Sequence, residues 1–430
     1  MQGPGWRRLV QSHSDRTTPL STRFHHIRPD EFLVDTFLLG RKVYESGFRP
    51  KHVISIWRGG APVGLGVDAY YRSRGVFLNH TTIATESYTG VNQRGEVVVK
   101  GLDHVIDVVC PEDGLLIVDD VFESGHTIRR VLESLRARAR ANMPRDIRVA
   151  TVHRKPERVQ SDDLPVITLH DLPGDVWIDY PHELCDLVQA EDPDDARIRH
   201  KDPAIWRLLH EPQSVAPPAV DGSDPLTPSA HSLLLDAIRL GSMIVADESF
   251  RPDFLVALWP GGIHAGLPVH ELYKYHQKKD ASVRPPDHIS LNTAQTRSSY
   301  RTDIIGIQYL VERIQRTHRI LIIDTTFRSG QVVNDVLLQL KDALRRNLIL
   351  EHVRVAAIYY NPDDSSTWTV PRIIRKPHYF VHQVHSEVVY PQSVHKLANP
   401  HLELRERNQA LHTALYGSKD GGAVLAPDQH

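Results

Sequence analysis

The stretch Leu115-Leu-Ile-Val-Asp-Asp-Val-Phe-Glu-Ser-Gly-His-Thr127 decides the fold class. Its first four residues are apolar and predict a buried strand, which ends in the adjacent acids Asp119 and Asp120. A turn of small residues follows, and an Arg- and Leu-rich helical pattern begins near Ile128. A strand that runs through such a turn into a helix is typical of an α/β sheet that binds phosphate, because N–H groups at the helix N-terminus face the anion.

The two acids need a different ligand from the turn. A carboxylate repels a phosphate, so we expect Asp119 and Asp120 to hold ribose hydroxyls or a Mg²⁺ ion. No Gly-Lys-Ser/Thr sequence closes the turn, which excludes a Walker loop. An ordinary buried strand with a solvated acidic turn is the alternative, but it does not require Ser-Gly-x-Thr at residues 124–127.

Composition indicates a soluble globular protein with more than one domain. At 430 residues, with 40% hydrophobic and 24% charged residues, the chain predicts two domains. The net charge of −2 gives no overall attraction to nucleic acid or an anionic membrane, so we expect neither as a partner. Residues 1–20 have no apolar segment and predict neither a signal peptide nor a membrane span. Two cysteines exclude a disulfide framework and favour a cytoplasmic location.

Landmarks of the first half return in the same order in the second half. Phe48-Arg-Pro50 returns 202 residues later as Phe250-Arg-Pro252, and Tyr180-Pro181 returns 210 residues later as Tyr390-Pro391. Between them recur Trp57 as Trp259, Gly59-Gly60 as Gly261-Gly262, Ser87-Tyr88 as Ser299-Tyr300, Asp119 as Asp324, and Ser124-Gly125 as Ser329-Gly330. Matches in constant order at a nearly constant offset indicate a tandem duplication.

We therefore expect four segments along the chain. Residues 22–190 form a first domain, and residues 191–228, rich in Pro, Asp, Ala and Ser, form a linker with one short helical piece around Ile205. Residues 229–398 form a second domain, and residues 399–430 form a charged helix and a disordered tail. Strand and helix patterns alternate in both halves, which predicts an α/β fold with mainly parallel sheets flanked by helices.

The acidic pair and its turn resemble the PRPP-binding motif of type I phosphoribosyltransferases, in which two acids precede Ser/Thr-Gly-x-Thr. The resemblance implies two tandem type I phosphoribosyltransferase-like domains, each with a small hood. It implies that Asp119 and Asp120 hold the ribose 2′ and 3′ hydroxyls of PRPP and act as ligands of Mg²⁺, the expected cofactor. The residues that would cradle the 5′-phosphate are Glu123, Ser124, Gly125, His126 and Thr127.

Two further segments resemble parts of the PRPP site in this family. Arg58-Gly59-Gly60 follows a predicted strand and resembles the pyrophosphate loop, where backbone N–H groups and a guanidinium would bind the leaving group. Ser87-Tyr88 is similar to the Ser-Tyr lid of hypoxanthine-guanine phosphoribosyltransferases. Without the family, the first segment would be a plain strand-to-helix turn and the second an incidental surface loop.

Five positions are expected to contact the base or a second metal ion. Glu123 stands where purine-salvage relatives usually carry an Asp beside the base N7, and it would accept the base proton. Lys155 resembles the lysine that donates to the oxygen on purine C6; a solvent lysine is the alternative. Trp177 and Ile178 resemble the segment that stacks on the base, although Trp177 could equally be a core residue. Asp179 is the acid expected to hold a second Mg²⁺.

The second half departs from this pattern where chemistry would occur. The residues that replace Arg58, Asp120, Glu123, Thr127 and Lys155 are Pro260, Thr325, Arg328, Val332 and Asn361. We therefore expect a degenerate copy that keeps the fold without the reaction. Since type I phosphoribosyltransferases commonly dimerise, this copy would act as an internal partner in a pseudo-dimer, with a homodimer of chains as the alternative.

The function implied is Mg²⁺-dependent transfer of 5-phosphoribosyl from PRPP to a purine-like nucleobase, giving a nucleoside 5′-monophosphate and pyrophosphate. The catalytic residues would be Glu123, Asp119 and Asp120, and the motifs resemble the hypoxanthine, guanine and xanthine enzymes. A specialised transferase for a 7-deazapurine in nucleoside-antibiotic biosynthesis is a second hypothesis, because such a base carries carbon at position 7, opposite the altered Glu123. A non-catalytic PRPP or nucleotide sensor is a third, although no basic DNA-binding segment is visible.

Overall fold

The computed structural model describes residues 23–90, 93–160, 164–189, 192–211, 225–293, 304–363 and 372–417. For residues 86–90 and 93–98 it describes the backbone alone. The predicted lid residues Ser87 and Tyr88 thus lie in a strand, and their repeat, Ser299-Tyr300, lies outside the described residues. Within the described part, no helix is both long and apolar enough to cross a membrane.

Strands and helices alternate along most of the chain. The strands are β1 Arg23–His26, β2 His52–Trp57, β3 Asn79–Gly90, β4 Gln93–Lys100, β5 Gly114–Phe122, β6 Asp146–Arg154, β7 Val166–Asp171, β8 Val176–Asp179, β9 Phe254–Trp259, β10 Asp287–Asn292, β11 Ile320–Phe327, β12 Val353–Tyr360 and β13 Tyr379–Gln383. The helices are α1 Pro29–Glu45, α2 Gly60–Ser73, α3 Asp103–Val108, α4 His126–Ala139, α5 Ala196–Lys201, α6 Pro203–His210, α7 Ala230–Ala246, α8 Gly262–Lys279, α9 Ile307–Arg313, α10 Gln331–Leu344, α11 Pro400–Arg407 and α12 Gln409–Tyr416.

The first half forms a six-stranded sheet in the order β4-β3-β2-β5-β6-β7. All neighbours are parallel except β4, which pairs antiparallel with β3. Helices cover both faces, and β5 contributes to each: Leu116 and Val118 pack with α1 and α2, and Leu115 and Ile117 with α3 and α4. This burial on two faces explains why the predicted strand is continuously apolar instead of alternating. A separate two-stranded sheet of β1 and β8 supplies the small extra layer expected of a hood.

The second half forms a five-stranded parallel sheet in the order β10-β9-β11-β12-β13. This order matches that of β3-β2-β5-β6-β7 strand for strand. The predicted fold class, α/β with parallel sheets flanked by helices, is confirmed.

The two halves contact each other through reciprocal ring pairs. Trp57 of β2 lies against His288 of β10, with ring centroids 5.0 Å apart, and Trp259 of β9 lies against His80 of β3 at 3.9 Å. The Asn292 side chain also donates to the carbonyl of His80 at 2.8 Å. Each half therefore presents the same Trp and His positions to the other.

The predicted linker contains more structure than one helical piece. Both α5 and α6 are present, and Ile198 and Ile205 are buried in a cluster that includes Leu184 and Leu272. Because Leu184 belongs to the first half and Leu272 to the second, α5 and α6 are part of a core that joins the two halves. Its Pro- and Asp-rich composition concealed this, since only a few apolar side chains make the contact.

The chain returns to the first half at its C-terminal end. Leu411 and Leu415 of α12 pack into the core of the first half, and Arg74 donates to the carbonyl of Leu415 at 2.5 Å. The predicted C-terminal helix is thus a pair, α11 and α12. The predicted disordered tail, residues 418–430, lies outside the described residues.

Candidate active site

The Gly59 turn meets the acidic pair at the carboxyl ends of two neighbouring parallel strands. β2 ends just before Gly59, and β5 carries Asp119 and Asp120. A Cβ on Gly59 would lie 1.9 Å from Asp120 Oδ2, and one on Gly60 would lie 2.3 Å from the Val118 carbonyl. Both positions therefore need glycine. The predicted pyrophosphate loop and the predicted ribose acids are in direct contact.

Burial and mutual repulsion disfavour ionisation of the acidic pair, Asp119 and Asp120. Asp119 Oδ1 accepts from the Asp120 N–H at 3.1 Å, and Asp120 Oδ1 accepts from the Val121 N–H at 2.8 Å. Burial, with the charge of Asp120, raises the pKa of Asp119 well above its ordinary value, and burial also raises the pKa of Asp120. A bound cation or a pair of donating hydroxyls would stabilise the ionised pair.

The turn after β5 leads directly into α4. Gly125 adopts a left-handed conformation, φ +74°, which favours glycine. The Ser124 hydroxyl accepts from the His126 N–H at 3.3 Å, and Arg129 donates to the Ser124 carbonyl at 2.9 Å. The predicted phosphate cradle is therefore a helix N-terminus with an arginine one turn inside it.

Three carboxylates hold the Arg58 guanidinium. It donates to Glu183 at 3.1 Å, to Asp186 at 2.6 Å and to Glu271 at 3.1 Å. Burial opposes its charge, but the three carboxylates together raise the pKa of Arg58 above its ordinary value. The expected role of Arg58 as a pyrophosphate donor would require it to exchange these partners for phosphate oxygens.

Glu271 brings the second half into this network. It lies on α8, is fully buried, and also accepts from the backbone N–H groups of Leu184 and Cys185 at 3.3 and 3.4 Å. Burial alone would raise its pKa, but Arg58 and Lys274 hold it well below the ordinary value. Sequence reasoning missed Glu271. An acid inside the apolar pattern of α8 was the available signal.

Glu123 and Lys155 contact each other instead of standing apart. Lys155 is buried and its ammonium pairs with one Glu123 oxygen, while Arg158 donates to the other at 3.3 Å. The alternative of a solvent lysine is therefore wrong for Lys155. The two residues predicted to manage the base proton and the C6 oxygen form one charged unit at the end of β6.

The segment Trp177-Ile178-Asp179 divides into three different environments. Trp177 is 44% exposed, so the alternative of a core residue is wrong and its ring is open to a ligand. Ile178, in contrast, is buried in the core of the first half. Asp179 is fully buried, and its oxygens bind His26 at 2.6 Å and Lys201 at 2.7 Å. A histidine and a lysine thus occupy the two oxygens of Asp179, an arrangement that gives no support to its predicted role as a metal ligand.

A cavity of about 1150 Å³ opens over the acidic pair. Its walls come from both halves of the chain. The first half contributes Trp57, Arg58, Gly59, Asp119, Asp120, Thr127 and Glu183, among others, and the second half contributes His270, Lys274, Gln277, Asp287 and His288. Glu123, Lys155 and Trp177 are not among the described residues that line the cavity. The predicted base contacts therefore lie outside it.

His182 and Glu183 are further side chains at the site that sequence reasoning missed. They follow Tyr180-Pro181, and both are buried. Burial lowers the pKa of His182 to about 3, so its imidazole is neutral. Burial likewise raises the pKa of Glu183 to about 8, although Arg58 opposes this shift.

The solved structures that this chain resembles are similar to it in fold alone. No family model matches the chain, and no curated protein does. A hypothetical protein from Neisseria gonorrhoeae with bound ppGpp is 19% identical, with 42% of this chain and 97% of that chain covered and a TM-score of 0.32. A purine phosphoribosyltransferase from Pyrococcus horikoshii is 18% identical (39% and 99% covered, TM-score 0.29), and the Helicobacter pylori xanthine-guanine-hypoxanthine phosphoribosyltransferase is 20% identical (37% and 92%, TM-score 0.29).

Proposed function

We propose that the first half transfers 5-phosphoribosyl from PRPP to a purine-like base, releasing pyrophosphate and a nucleoside 5′-monophosphate. The observation that carries the proposal is the acidic pair at the end of β5, which lies between a two-glycine turn and the N-terminus of α4 and faces a cavity of about 1150 Å³. In this proposal the acids hold the ribose, the turn before α4 holds the 5′-phosphate, and the two-glycine turn holds pyrophosphate.

The acids and the helix have complementary roles in this proposal. Asp119 and Asp120 accept hydrogen bonds from the ribose hydroxyls, and the N–H groups at the start of α4 hold the 5′-phosphate. The raised pKa values of Asp119 and Asp120 fit a site that gains a cation when the substrate binds. Asp119 and Asp120 would hold Mg²⁺, which neutralises developing charge on the leaving pyrophosphate.

The base is proposed to bind beside the ribose, next to β6 and β8. The exposed ring of Trp177 offers a stacking surface, and the pair formed by Glu123 and Lys155 offers a proton acceptor and a donor. Ordinary purines fit this chemistry. The Glu in place of Asp also motivates a 7-deazapurine as a second candidate substrate.

We further propose that the chain is a tandem duplication that forms an internal pseudo-dimer. The matching strand order and the reciprocal pairs Trp57–His288 and Trp259–His80 support this, because a two-fold interface uses the same patch twice. The second half lacks Asp120 and Glu123 equivalents and serves as the partner.

Pyrophosphate release from PRPP and Mg²⁺ tests the function, using hypoxanthine, guanine, xanthine and a 7-deazaguanine-type base. We expect turnover with at least one base, and its loss in the double variant Asp119→Asn, Asp120→Asn. Turnover of ordinary purines alone would exclude the 7-deazapurine candidate. A wild-type protein that releases no pyrophosphate with any of these bases, while it binds PRPP, would contradict the transferase proposal and favour the sensor.

A further inference from the structure

Three side chains with metal-binding atoms meet at one member of the acidic pair, Asp120. Asp120, His182 and Glu183 each offer one ligand atom, and these atoms lie within 4.8 Å of one another. Asp120 comes from the end of β5, and the other two come from the segment after β8. Asp120 and Glu183 also line the cavity, so a small ion can reach the cluster from solvent.

The imidazole of His182 is not fully hydrogen-bonded in this position. The residue is 5% exposed, and its Nε2 atom has no hydrogen-bond partner among the described residues. A buried polar atom without a partner costs free energy. A neutral imidazole is among the commonest metal ligands, so a cation would supply what the protein does not.

Carboxylates outnumber cations around the cluster. The Glu183 side chain accepts from Arg58 through one oxygen, at 3.1 Å, and from the Tyr180 N–H through the other, at 3.4 Å. Among the described side chains of this network, the carboxylates are Asp119, Asp120, Glu183, Asp186 and Glu271. The cations paired with them are Arg58 and Lys274, and Lys201 donates to the Glu183 carbonyl at 2.7 Å. A divalent cation would reduce this excess of negative charge.

The second half has lost these three residues together. At the matching positions stand Thr325 for Asp120, Gln392 for His182 and Ser393 for Glu183. The neighbouring residues persist, since Asp119 returns as Asp324 and Tyr180-Pro181 returns as Tyr390-Pro391. These replacements accompany those of Arg58, Glu123 and Lys155, so the second half would keep none of the three metal-binding side chains.

We propose that Asp120, His182 and Glu183 bind a divalent first-row transition metal ion, for which Mn²⁺ is the spectroscopic probe. One imidazole nitrogen and two carboxylate oxygens suit such ions, whereas Mg²⁺ and Ca²⁺ prefer oxygen ligands alone. The ion would share Glu183 with Arg58 and so loosen the grip on that guanidinium. This site shares Asp120 with the proposed ribose and Mg²⁺ contacts, but it does not depend on the transfer reaction.

Titration of the full-length protein with Mn²⁺, without PRPP or base, tests the site. Electron paramagnetic resonance of the free ion should show uptake of a single Mn²⁺ per chain that excess Mg²⁺ does not displace. Pulsed spectra of the bound ion should show coupling to an imidazole nitrogen, a signal that needs no variant. Uptake without nitrogen coupling, or no uptake, would overturn the proposal.

The Mn²⁺ affinity of variants at the proposed ligands tests where the ion binds. Since loss of an outer-shell partner alone costs about 10–100-fold in affinity, His182→Asn and Glu183→Gln should each weaken Mn²⁺ binding at least about tenfold. His264→Asn is the matched control, because His264 is a partly buried second-half histidine whose buried Nε2 also lacks a partner among the described residues. Binding unchanged in His182→Asn, or weakened equally in His264→Asn, would overturn the site. Mn²⁺ bound as expected with no pyrophosphate release would instead count against the transferase alone.

Discussion

Glu123 is the residue on which the base chemistry of the proposal depends most. It is held between the buried Lys155 and the more exposed Arg158, so its carboxylate has a fixed position at the end of β6. A side chain held in this way can accept a proton without first being ordered. The same contact fixes Lys155 for donation to the base.

We expect Glu123→Gln to lower kcat by about 10²–10⁴-fold, the usual contribution of a general base. The KM for PRPP should change little, because Glu123 is not among the described residues that line the cavity proposed to bind PRPP. Steady-state kinetics with saturating base measures this. Glu133→Gln, which removes a partner of Arg130 on the exposed face of α4, is the control and should leave kcat unchanged. An unchanged kcat in Glu123→Gln would remove the residue from the mechanism.

Asp324 predicts a pH dependence of stability in the second half. Burial raises its pKa from 3.8 to about 7, although Thr325 and Lys396 oppose the shift. The folded protein therefore keeps a proton that the unfolded chain has lost, and stability should fall as pH rises from about 4 to 7. Asp324→Asn keeps the oxygen that accepts from the Thr325 N–H at 2.7 Å but cannot ionise.

Thermal unfolding of wild type and Asp324→Asn across this pH range checks the sign. At about pH 8 the variant should be more stable by about 1–3 kcal/mol, since one pKa unit corresponds to about 1.4 kcal/mol. At about pH 4 the two proteins should unfold at similar temperatures. Stability curves that run parallel over the whole range would show that Asp324 does not carry this linkage.

At the scale of elements, the strands and the strand-end acids were predictable and the partners of charged side chains were not. The apolar run before Asp119 and Asp120 identifies a buried strand, and the small residues after it identify a turn, because both signals are local. Glu271 and Arg58 are 213 residues apart, and their pairing depends on how α8 packs against the first half. Likewise, α5 and α6 join the core through Ile198 and Ile205, which local composition could not indicate.

Substitution of Gly59, in the turn between β2 and α2, tests how closely the ends of β2 and β5 must approach each other. Gly59→Ala places a Cβ 1.9 Å from Asp120 Oδ2, whereas the matching change Gly261→Ala meets Thr325 Oγ1 at 3.0 Å. We expect Gly59→Ala to lower the free energy of unfolding by about 1–3 kcal/mol and to abolish turnover, because the acids must move. Gly261→Ala should cost less and retain turnover. Denaturant unfolding with a pyrophosphate assay compares them, and equal effects would contradict this account.

At the scale of the whole molecule, the second half is more than a support for the first. Its helix α8 sends Glu271 to Arg58, and the same helix lines the cavity with His270, Lys274 and Gln277. Under the proposed duplication, the degenerate copy would lose its own site and still complete the proposed site of its neighbour. This explains why the halves would remain in one chain, where the partner is always present at high effective concentration.

Lys274 provides the direct test of that role. Its ammonium lies 3.4 Å from Glu271, and it faces the cavity in which the polyanion PRPP is proposed to bind. A hydrogen bond to a charged group contributes about 1.5–3 kcal/mol, so Lys274→Met should raise the KM for PRPP about tenfold or more with a smaller change in kcat. Lys278→Met is the matched control, because Lys278 is exposed on the same helix and does not line the cavity. If both variants kept the wild-type KM while unfolding at the wild-type temperature, the second half would contribute only structure, and the composite site would be wrong.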